Sequence, residues 1–201
     1  MILNSRYSHR GGVIIPKVGD TVPIGGVDYL VAHIDEANKH MYFAKKYWEN
    51  SVVFDSNGRT EYKSSNLYAS CGAYCDDMPN DIKPLLITLD CGYGCPVFIP
   101  TKEQVGGADN SGRNDAVTGQ WDYFKDNASR IFKNTSDNAI VWWLQSTWPT
   151  DSSFVCGVSG SGYISKATVN QYVSFGFRPC FAMDMSALMA YSQLELWKTI
   201  L

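Results

Sequence analysis

Short apolar runs separated by glycine and polar residues occur along most of this chain, and they predict short β-strands. Residues 21–24 and 27–34 are rich in β-branched and aromatic residues, and they flank the pair Gly25-Gly26. Two such runs around a glycine turn are typical of a β-hairpin. A third run at residues 41–48 predicts the next strand.

A helix is predicted in the middle of the chain. The side chains of Ser65 and Asn66 can each accept a hydrogen bond from an early helical amide, so either residue can cap a helix that runs through Leu67 and Cys71. Pro79 indicates the end of this helix, because proline has no amide hydrogen and clashes with the preceding turn.

The second half of the chain is again rich in predicted strands. Residues 106–119 are mostly glycine, asparagine, aspartate and serine, which predicts a long loop that is either functional or mobile. A brief helical turn is predicted at residues 101–105. Strands are predicted at residues 96–100, 141–146, 154–158, 163–164 and 175–182.

Two motifs in this half are unusual in composition. Trp142 and Trp143 are adjacent on a predicted strand, and side chains on a strand alternate between its two faces. One indole is therefore expected in the main core and the other under a second layer. Arg178 and Pro179 are expected to end a later strand, with Arg178 bound to strand-end carbonyls or to a buried carboxylate. We interpret all four residues as structural.

The C-terminal segment 184–201 predicts a helix that is apolar on more than one face. Leu188, Tyr191, Leu194 and Trp197 are among its apolar positions. A helix of this kind is normally buried on several sides. We expect it to dock on the domain and to contact another subunit through these residues, which predicts a homo-oligomer. Packing within a single chain is the alternative.

Composition excludes several classes of protein. Aromatic residues make up 13% of the 201 residues, and the net charge is only −3. A chain so close to neutral is not expected to bind nucleic acid through bulk electrostatics. No apolar run reaches the ~18 residues that span a bilayer, so membrane insertion is not expected. The N-terminus lacks the apolar stretch of a secretory signal, so we expect no signal peptide and synthesis in a cytoplasm.

The six cysteines leave three interpretations open. Cys71 and Cys75 are four apart, as are Cys91 and Cys95, whereas zinc knuckles usually have two residues between their cysteines. Burial as small apolar side chains is the favoured interpretation, and disulfides and a zinc site remain alternatives. The site prediction therefore contains no metal ligand, and no cofactor is expected.

The motifs resemble a family of domains of unknown function that occurs in Gram-positive and other gut bacteria and in their phages. The resemblance rests mainly on Val141-Trp142-Trp143-Leu144-Gln145-Ser146 and Gly176-Phe177-Arg178-Pro179, and it extends over about residues 17–183. This chain departs from the family at Gln145, where arginine is usual, and at Cys180, where alanine is usual. The first departure removes an anion-binding or ion-pairing role that the resemblance would otherwise imply.

The resemblance implies an α+β fold of C-type-lectin-like type. We expect short, twisted antiparallel sheets with two helices in a loop-rich domain at residues 17–183. An extended arm at residues 1–16 and the C-terminal assembly helix at residues 184–201 lie outside the domain. The implied location is a phage virion or phage-like particle, where other virion subunits are the expected partners.

The expected function is recognition without catalysis. The three histidines have no partner at the spacing of a zincin helix, so no catalytic residue is assigned. Cys156 and Cys180 are candidates for catalysis only because related formylglycine-generating enzymes oxidise substrates with cysteines. The acidic and amide triplets of calcium-dependent lectins are missing, so a calcium site is not assigned either.

Binding residues are predicted in the loops of the C-terminal half, where aromatic side chains lie beside amide and carboxylate groups. Such surfaces suit a bacterial surface glycan or protein. A decoration or receptor-binding protein is therefore the first hypothesis. The alternatives are a purely structural virion protein without a ligand, in which these aromatics cap the core, and a bacterial carbohydrate-binding module. The predicted ligand-binding residues are Trp148, Asp151, Tyr163, Asn170, Gln171 and Tyr172.

Overall fold

The structure is a computed structural model, and it describes residues 15–47, 51–106, 119–169 and 175–191. Helices and strands are both present, which confirms the α+β class. None of the helices in the described ranges is long and apolar enough to cross a membrane. The strands and helices are β1 Thr21–Ile24, β2 Val27–Asp35, β3 His40–Lys45, α1 Asn66–Asp77, β4 Leu86–Ile87, α2 Lys102–Val105, α3 Asn127–Arg130, β5 Phe132–Lys133, β6 Ala139–Ile140, β7 Trp142–Thr147, β8 Phe154–Val158, β9 Ile164–Thr168 and β10 Cys180–Asp184.

The largest sheet joins the two ends of the described chain. Its five antiparallel strands lie in the order β1-β2-β3-β10-β4. The predicted hairpin forms its edge, and Gly25 and Gly26 both adopt the positive φ that such a turn requires. Because β10 pairs with β3 and β4, the C-terminal segment of the domain cannot form this sheet without the N-terminal segment.

The predicted helix is confirmed as α1, and Ser65 is its cap. The Ser65 side chain accepts a hydrogen bond from the backbone amide of Tyr68 at 3.1 Å. The helix ends at Asp77, just before Pro79, as expected. Leu67 and Cys71 are fully buried against the core, so the helix covers one face of the large sheet.

The tandem tryptophans point to opposite sides of β7, as predicted. Trp143 lies in the core cluster that contains α1, and Trp142 lies in a second cluster. Each indole nitrogen donates to a backbone carbonyl: Trp143 to Val52 at 2.7 Å and Trp142 to Arg130 at 3.0 Å. β7 belongs to a second antiparallel sheet with the order β7-β8-β9.

Two predicted strands differ from the structure because proline interrupts them. Residues 96–100 contribute only one bridge, in which Phe98 and Cys180 exchange backbone hydrogen bonds of 2.9 and 2.7 Å. The prolines at both ends of this segment cannot donate to a ladder. Arg178-Pro179 precedes β10 and does not end a strand, because the ladder starts after the proline.

The C-terminal helix is present at residues 185–191, where the described chain ends. Leu188 is only 2% exposed, and it packs in the core cluster of its own chain. This burial agrees with the alternative of packing within one chain for Leu188, and the subunit interface stays a prediction. Tyr191 is half-buried against the same cluster. Leu194 and Trp197 lie outside the described residues.

Asp55 is a buried carboxylate that holds the segment before α1. Arg59 donates to both of its oxygens, and the backbone amides of Asn57, Arg59 and Asn66 also donate to it. Burial raises the pKa of the Asp55 carboxyl, but the hydrogen bonds and charge of Arg59 outweigh burial and hold the pKa below its usual range. The ionised form is therefore the one that stabilises the fold.

Asp55→Asn is expected to lower the free energy of unfolding by about 2 kcal/mol at pH 7, because hydrogen bonds to a charged group are weakened. A carboxyl whose pKa is lowered by folding stabilises the protein above its unfolded pKa of about 4, and this contribution is lost as the pH falls through the folded pKa. Thermal melts from pH 7 to pH 3 should therefore show the two proteins converging at low pH. A constant difference in melting temperature would contradict the assignment.

A candidate ligand-binding cleft

An irregularity in β2 forms one wall of the candidate site. The register of β2 with β3 shifts between Val31 and His33, which is a β-bulge at Ala32. The carbonyl of Ala32, at the bulge, accepts a hydrogen bond from the backbone amide of Tyr123 at 3.0 Å. The bulge thus attaches the segment around Tyr123 to the sheet, beside the exposed end of β2. Bulges often redirect side chains next to binding sites.

Three aromatic rings follow one another beside this bulge. The ring centroid of Tyr42 lies 5.4 Å from that of His33 and 5.4 Å from that of Trp121. Trp121 is buried, and its amide donates to the carbonyl of Gln104 at 2.8 Å. The ring of Tyr42 is half-buried, so part of it remains accessible from solvent.

These rings border an open cleft of about 330 Å³. The described residues that line it come from β2 and β3 and from segments far from them in the chain, so folding brings them together. The lining residues are His33, Asp35, Tyr42, Leu89, Asp90, Cys91, Gln104, Gly119 and Trp121. A smaller neighbouring hollow shares Trp121 and is also lined by Gln120, Asp122 and Lys125.

The charged groups of the cleft are mainly acidic. Hydrogen bonds from the side chain and backbone of Asn38 lower the pKa of the Asp35 carboxyl, so Asp35 is ionised at neutral pH. The Asp90 carboxylate is exposed, and none of the hydrogen bonds between described residues involves its oxygens. Asp122 lies 3.0 Å from Nδ1 of His33 and holds that ring in place.

Two protonated groups complete the cleft. Burial, and then the nearby Asp35 and Cys91, raise the pKa of Tyr42, so its hydroxyl stays neutral. Burial also raises the pKa of the Cys91 thiol, although Gln104 Nε2 donates to Cys91 Sγ at 3.7 Å. A thiol with a raised pKa is a weak nucleophile, because the thiolate is the reactive form. Tyr42 and Cys91 therefore act here as neutral polar groups.

The predicted binding residues that the structure describes do not all lie in one place. Trp148 follows β7 and binds Phe154 at one end of β8, whereas Tyr163 precedes β9 at the other end. Trp148 is half-buried, and its indole nitrogen donates to Thr150 at 3.1 Å. The Asp151 carboxylate accepts from Ser153. The half-buried position of Trp148 agrees with the alternative of core capping.

The other predicted binding residues lie outside the described residues. These are Asn170, Gln171 and Tyr172, together with most of the predicted loop at residues 106–119. Val169 precedes the three binding residues, and its neighbour Thr168 pairs with Phe154. Tyr163 is 53% exposed on the described chain and is free to contact a partner.

The structural motif contains an unusual buried cation. The guanidinium of Arg178 lies over the rings of Phe124, Phe132 and Trp142, at 5.1, 4.7 and 5.1 Å from their centroids. Its Nε donates to the carbonyl of Lys45 at 3.2 Å, which confirms the expected carbonyl partner. Burial lowers the pKa of Arg178 to about 10, so it stays charged at neutral pH. No carboxylate among the described residues pairs with Arg178. The guanidinium instead contacts the faces of three aromatic rings.

The remaining motif residues and cysteines also have structural roles. The Gln145 side chain is buried and donates to the carbonyl of Ile99 at 2.9 Å, which connects β7 to the segment before α2. All six cysteines are free thiols. Burial raises the pKa of Cys71 to about 12 and also raises that of Cys180, so neither is a reactive thiolate. No group of three or more potential metal ligands occurs among the described residues.

Sequence reasoning did not identify the cleft. His33, Asp35 and Tyr42 read as ordinary strand residues, and Trp121 follows a long polar loop. The run Trp121-Asp122-Tyr123-Phe124 contains three aromatic residues and one carboxylate. This run is the feature of the sequence that could have indicated the cleft. The bulge that positions His33 leaves no mark in the hydrophobic pattern.

Comparison with known proteins supports part of the resemblance. A domain of unknown function, DUF6273, is found at residues 92–185. Both the tandem tryptophans and the segment with Arg178 lie within this match. Searches of curated proteins and of solved structures gave no match. The match starts after α1 and therefore covers only part of the large sheet and its core.

Proposed function

We propose that this protein is a non-enzymatic recognition protein that binds a bacterial surface glycan in the cleft beside Tyr42. The observation that carries the proposal is an accessible aromatic ring surrounded by polar groups that can bind hydroxyls. A sugar offers an apolar C–H face and a rim of hydroxyl groups. Aromatic rings with adjacent carboxylates and amides are complementary to both.

The polar groups around Tyr42 suit this role. Asp35 can accept hydrogen bonds from sugar hydroxyls, and Gln104 can both donate and accept. The neutral hydroxyl of Tyr42 can also do both. His33 is held by Asp122, so a ligand would meet an aligned imidazole ring. Prearranged groups of this kind reduce the entropy that is lost on binding.

The biological setting follows from the resemblance. We propose a surface-exposed decoration or receptor-binding subunit of a phage or phage-like particle, with a C-type-lectin-like arrangement of the domain. The small antiparallel sheets and the long connections between them are compatible with that fold. A role in a virion would require contacts with other subunits, and residues 192–201 are the first place to seek them.

Tyr42→Ala is expected to lower the affinity of the labelled protein for intact Gram-positive gut bacteria by about tenfold, because the apolar contact of a ring that stacks on a sugar is worth about 1.4 kcal/mol. The measurement is saturable cell binding by flow cytometry. Tyr42→Phe keeps the ring and is expected to retain most of the binding. Circular dichroism melts verify that each variant is folded.

Tyr163→Ala is the matched control, because it removes an exposed tyrosine at the far end of the β7-β8-β9 sheet. We expect it to bind cells like the unchanged protein. Loss of binding in Tyr163→Ala but not in Tyr42→Ala would contradict the cleft and favour the sequence-predicted loops. No saturable binding to any strain would favour the purely structural role.

A further inference from the structure

We infer that the glycan bound in this cleft carries a free amino group, as in a deacetylated amino sugar. The inference rests on the proposed function and concerns which sugar the same site prefers. It is drawn from the balance of charges around the accessible ring. At neutral pH a primary amine on a sugar is largely an ammonium, which carries a positive charge and three hydrogen-bond donors.

Among the residues that the structure describes, the lining of the cleft has carboxylates but no lysine or arginine. Asp35 and Asp90 both line it, and the other described lining residues are His33 and uncharged groups. Asp122 adds a third carboxylate beside His33, while Lys125 lies in the neighbouring hollow. An anionic sugar would meet repulsion here, because like charges at close range oppose binding.

Asp90 is the carboxylate of the cleft that lacks a hydrogen-bond partner among the described residues. Its carboxylate receives no hydrogen bond from the described residues, in contrast to Asp35, which is held by Asn38 and Ala37. Asp90 belongs to the short 3-10 turn Asp90–Gly92, whose backbone is held by the bond from Tyr93 to Asp90. The turn therefore holds the backbone at Asp90. The exposed carboxylate oxygens remain open to a ligand.

Tyr42 offers a second interaction to a cation. An ammonium within about 6 Å of an aromatic ring centroid is attracted to the face of the ring. The Tyr42 ring lies between His33 and Trp121, so its orientation is set by packing. An N-acetyl group would place a neutral amide at the same point, so the attraction to the ring face and to the carboxylates would be lost. The cleft should therefore distinguish the amine from its acetylated form.

The test compares two ligands of equal length by isothermal titration calorimetry at pH 6 and low salt. One is a β-1,4-linked tetramer of glucosamine, and the other is the same tetramer of N-acetylglucosamine. We expect the amine form to bind at least tenfold more tightly, because a hydrogen bond to a charged group contributes about 1.5–3 kcal/mol. The preference should decrease as salt is added, since exposed charges are screened.

Asp90→Asn should reduce affinity for the glucosamine tetramer about five- to tenfold and leave affinity for the acetylated tetramer unchanged. Asp28→Asn is the control, because Asp28 is an exposed aspartate at the other end of β2. It makes the same change in net charge and should not alter binding of either tetramer.

The outcomes separate the inference from the proposed function. Equal or tighter binding of the acetylated tetramer would overturn the inference, and so would equal losses in Asp90→Asn and Asp28→Asn. If Tyr42-dependent binding to cells persists in either case, the proposed function stands with a different sugar. If cell binding does not depend on Tyr42, both the proposed function and the inference fail.

Discussion

Trp143→Ala is expected to lower the free energy of unfolding by about 4 kcal/mol, in the range observed when a buried tryptophan is truncated. Trp143 is fully buried, and its ring lies 4.2 Å from that of Phe175 and 5.6 Å from that of Phe54. Its indole also holds the carbonyl of Val52, which would lose its donor. The measurement is urea denaturation followed by far-ultraviolet circular dichroism.

Two further variants make this result specific. Trp143→Phe keeps most of the apolar contact and loses the hydrogen bond to Val52, so a loss of about 1–2 kcal/mol is expected. Trp148→Ala removes a half-buried tryptophan just after the same strand and should cost less than Trp143→Ala. If Trp148→Ala were equally destabilising, the assignment of Trp143 to the centre of the main core would be wrong.

Arg178→Ala is the second change with a large expected effect, about 3–4 kcal/mol of lost stability. The substitution empties a fully buried site and removes a cation from three aromatic faces. The carbonyl of Lys45 loses its donor at the same time. Since Lys45 is on β3 and Arg178 precedes β10, the two central strands of the large sheet should separate more easily. Hydrogen exchange of β3 and β10 would report this directly.

Arg178→Met separates the effect of volume from that of charge. Methionine fills much of the same space without a cation, and replacing a buried charge with an apolar residue is often tolerated. We expect a loss of about 1–2 kcal/mol, from the aromatic contacts and the hydrogen bond together. Arg178→Lys should cost more than Arg178→Met, because an ammonium is harder to desolvate than a guanidinium and cannot stack on rings. The reverse order would show that charge at this site matters more than shape.

The tandem tryptophans and the segment with Arg178 show why part of this fold was predictable. The period of two along a strand is a property of the backbone, so adjacent tryptophans had to face opposite clusters in any sheet. The partners of those tryptophans were not predictable. Val52 and Arg130 accept the indole hydrogens from segments that are 91 and 12 residues away in the chain. Arg178 is similar: its burial could be expected, but its aromatic surroundings depend on the packing of distant segments.

The predicted binding residues illustrate the opposite case. Trp148 and Tyr163 looked alike in sequence, since both are aromatic residues in polar connections. The strand β8 separates them, so one lies at each end of a sheet. Leu188 likewise looked like an interface residue, because the number of apolar faces on a helix does not reveal whether its own domain or a partner covers them. In this chain its own core covers Leu188.

The sequence by itself determined the local elements of this protein: the β1-β2 hairpin, the start of α1 at Ser65 or Asn66, and the opposed tryptophans. These follow from interactions within a few residues, such as turn conformation, capping and alternation along a strand. Only the tertiary structure decided the aromatic surroundings of Arg178 and the cleft beside Tyr42. Both are built from segments far apart in the chain, and a one-residue bulge at Ala32 positions one wall of the cleft. Such contacts depend on how whole elements pack, which no local pattern records.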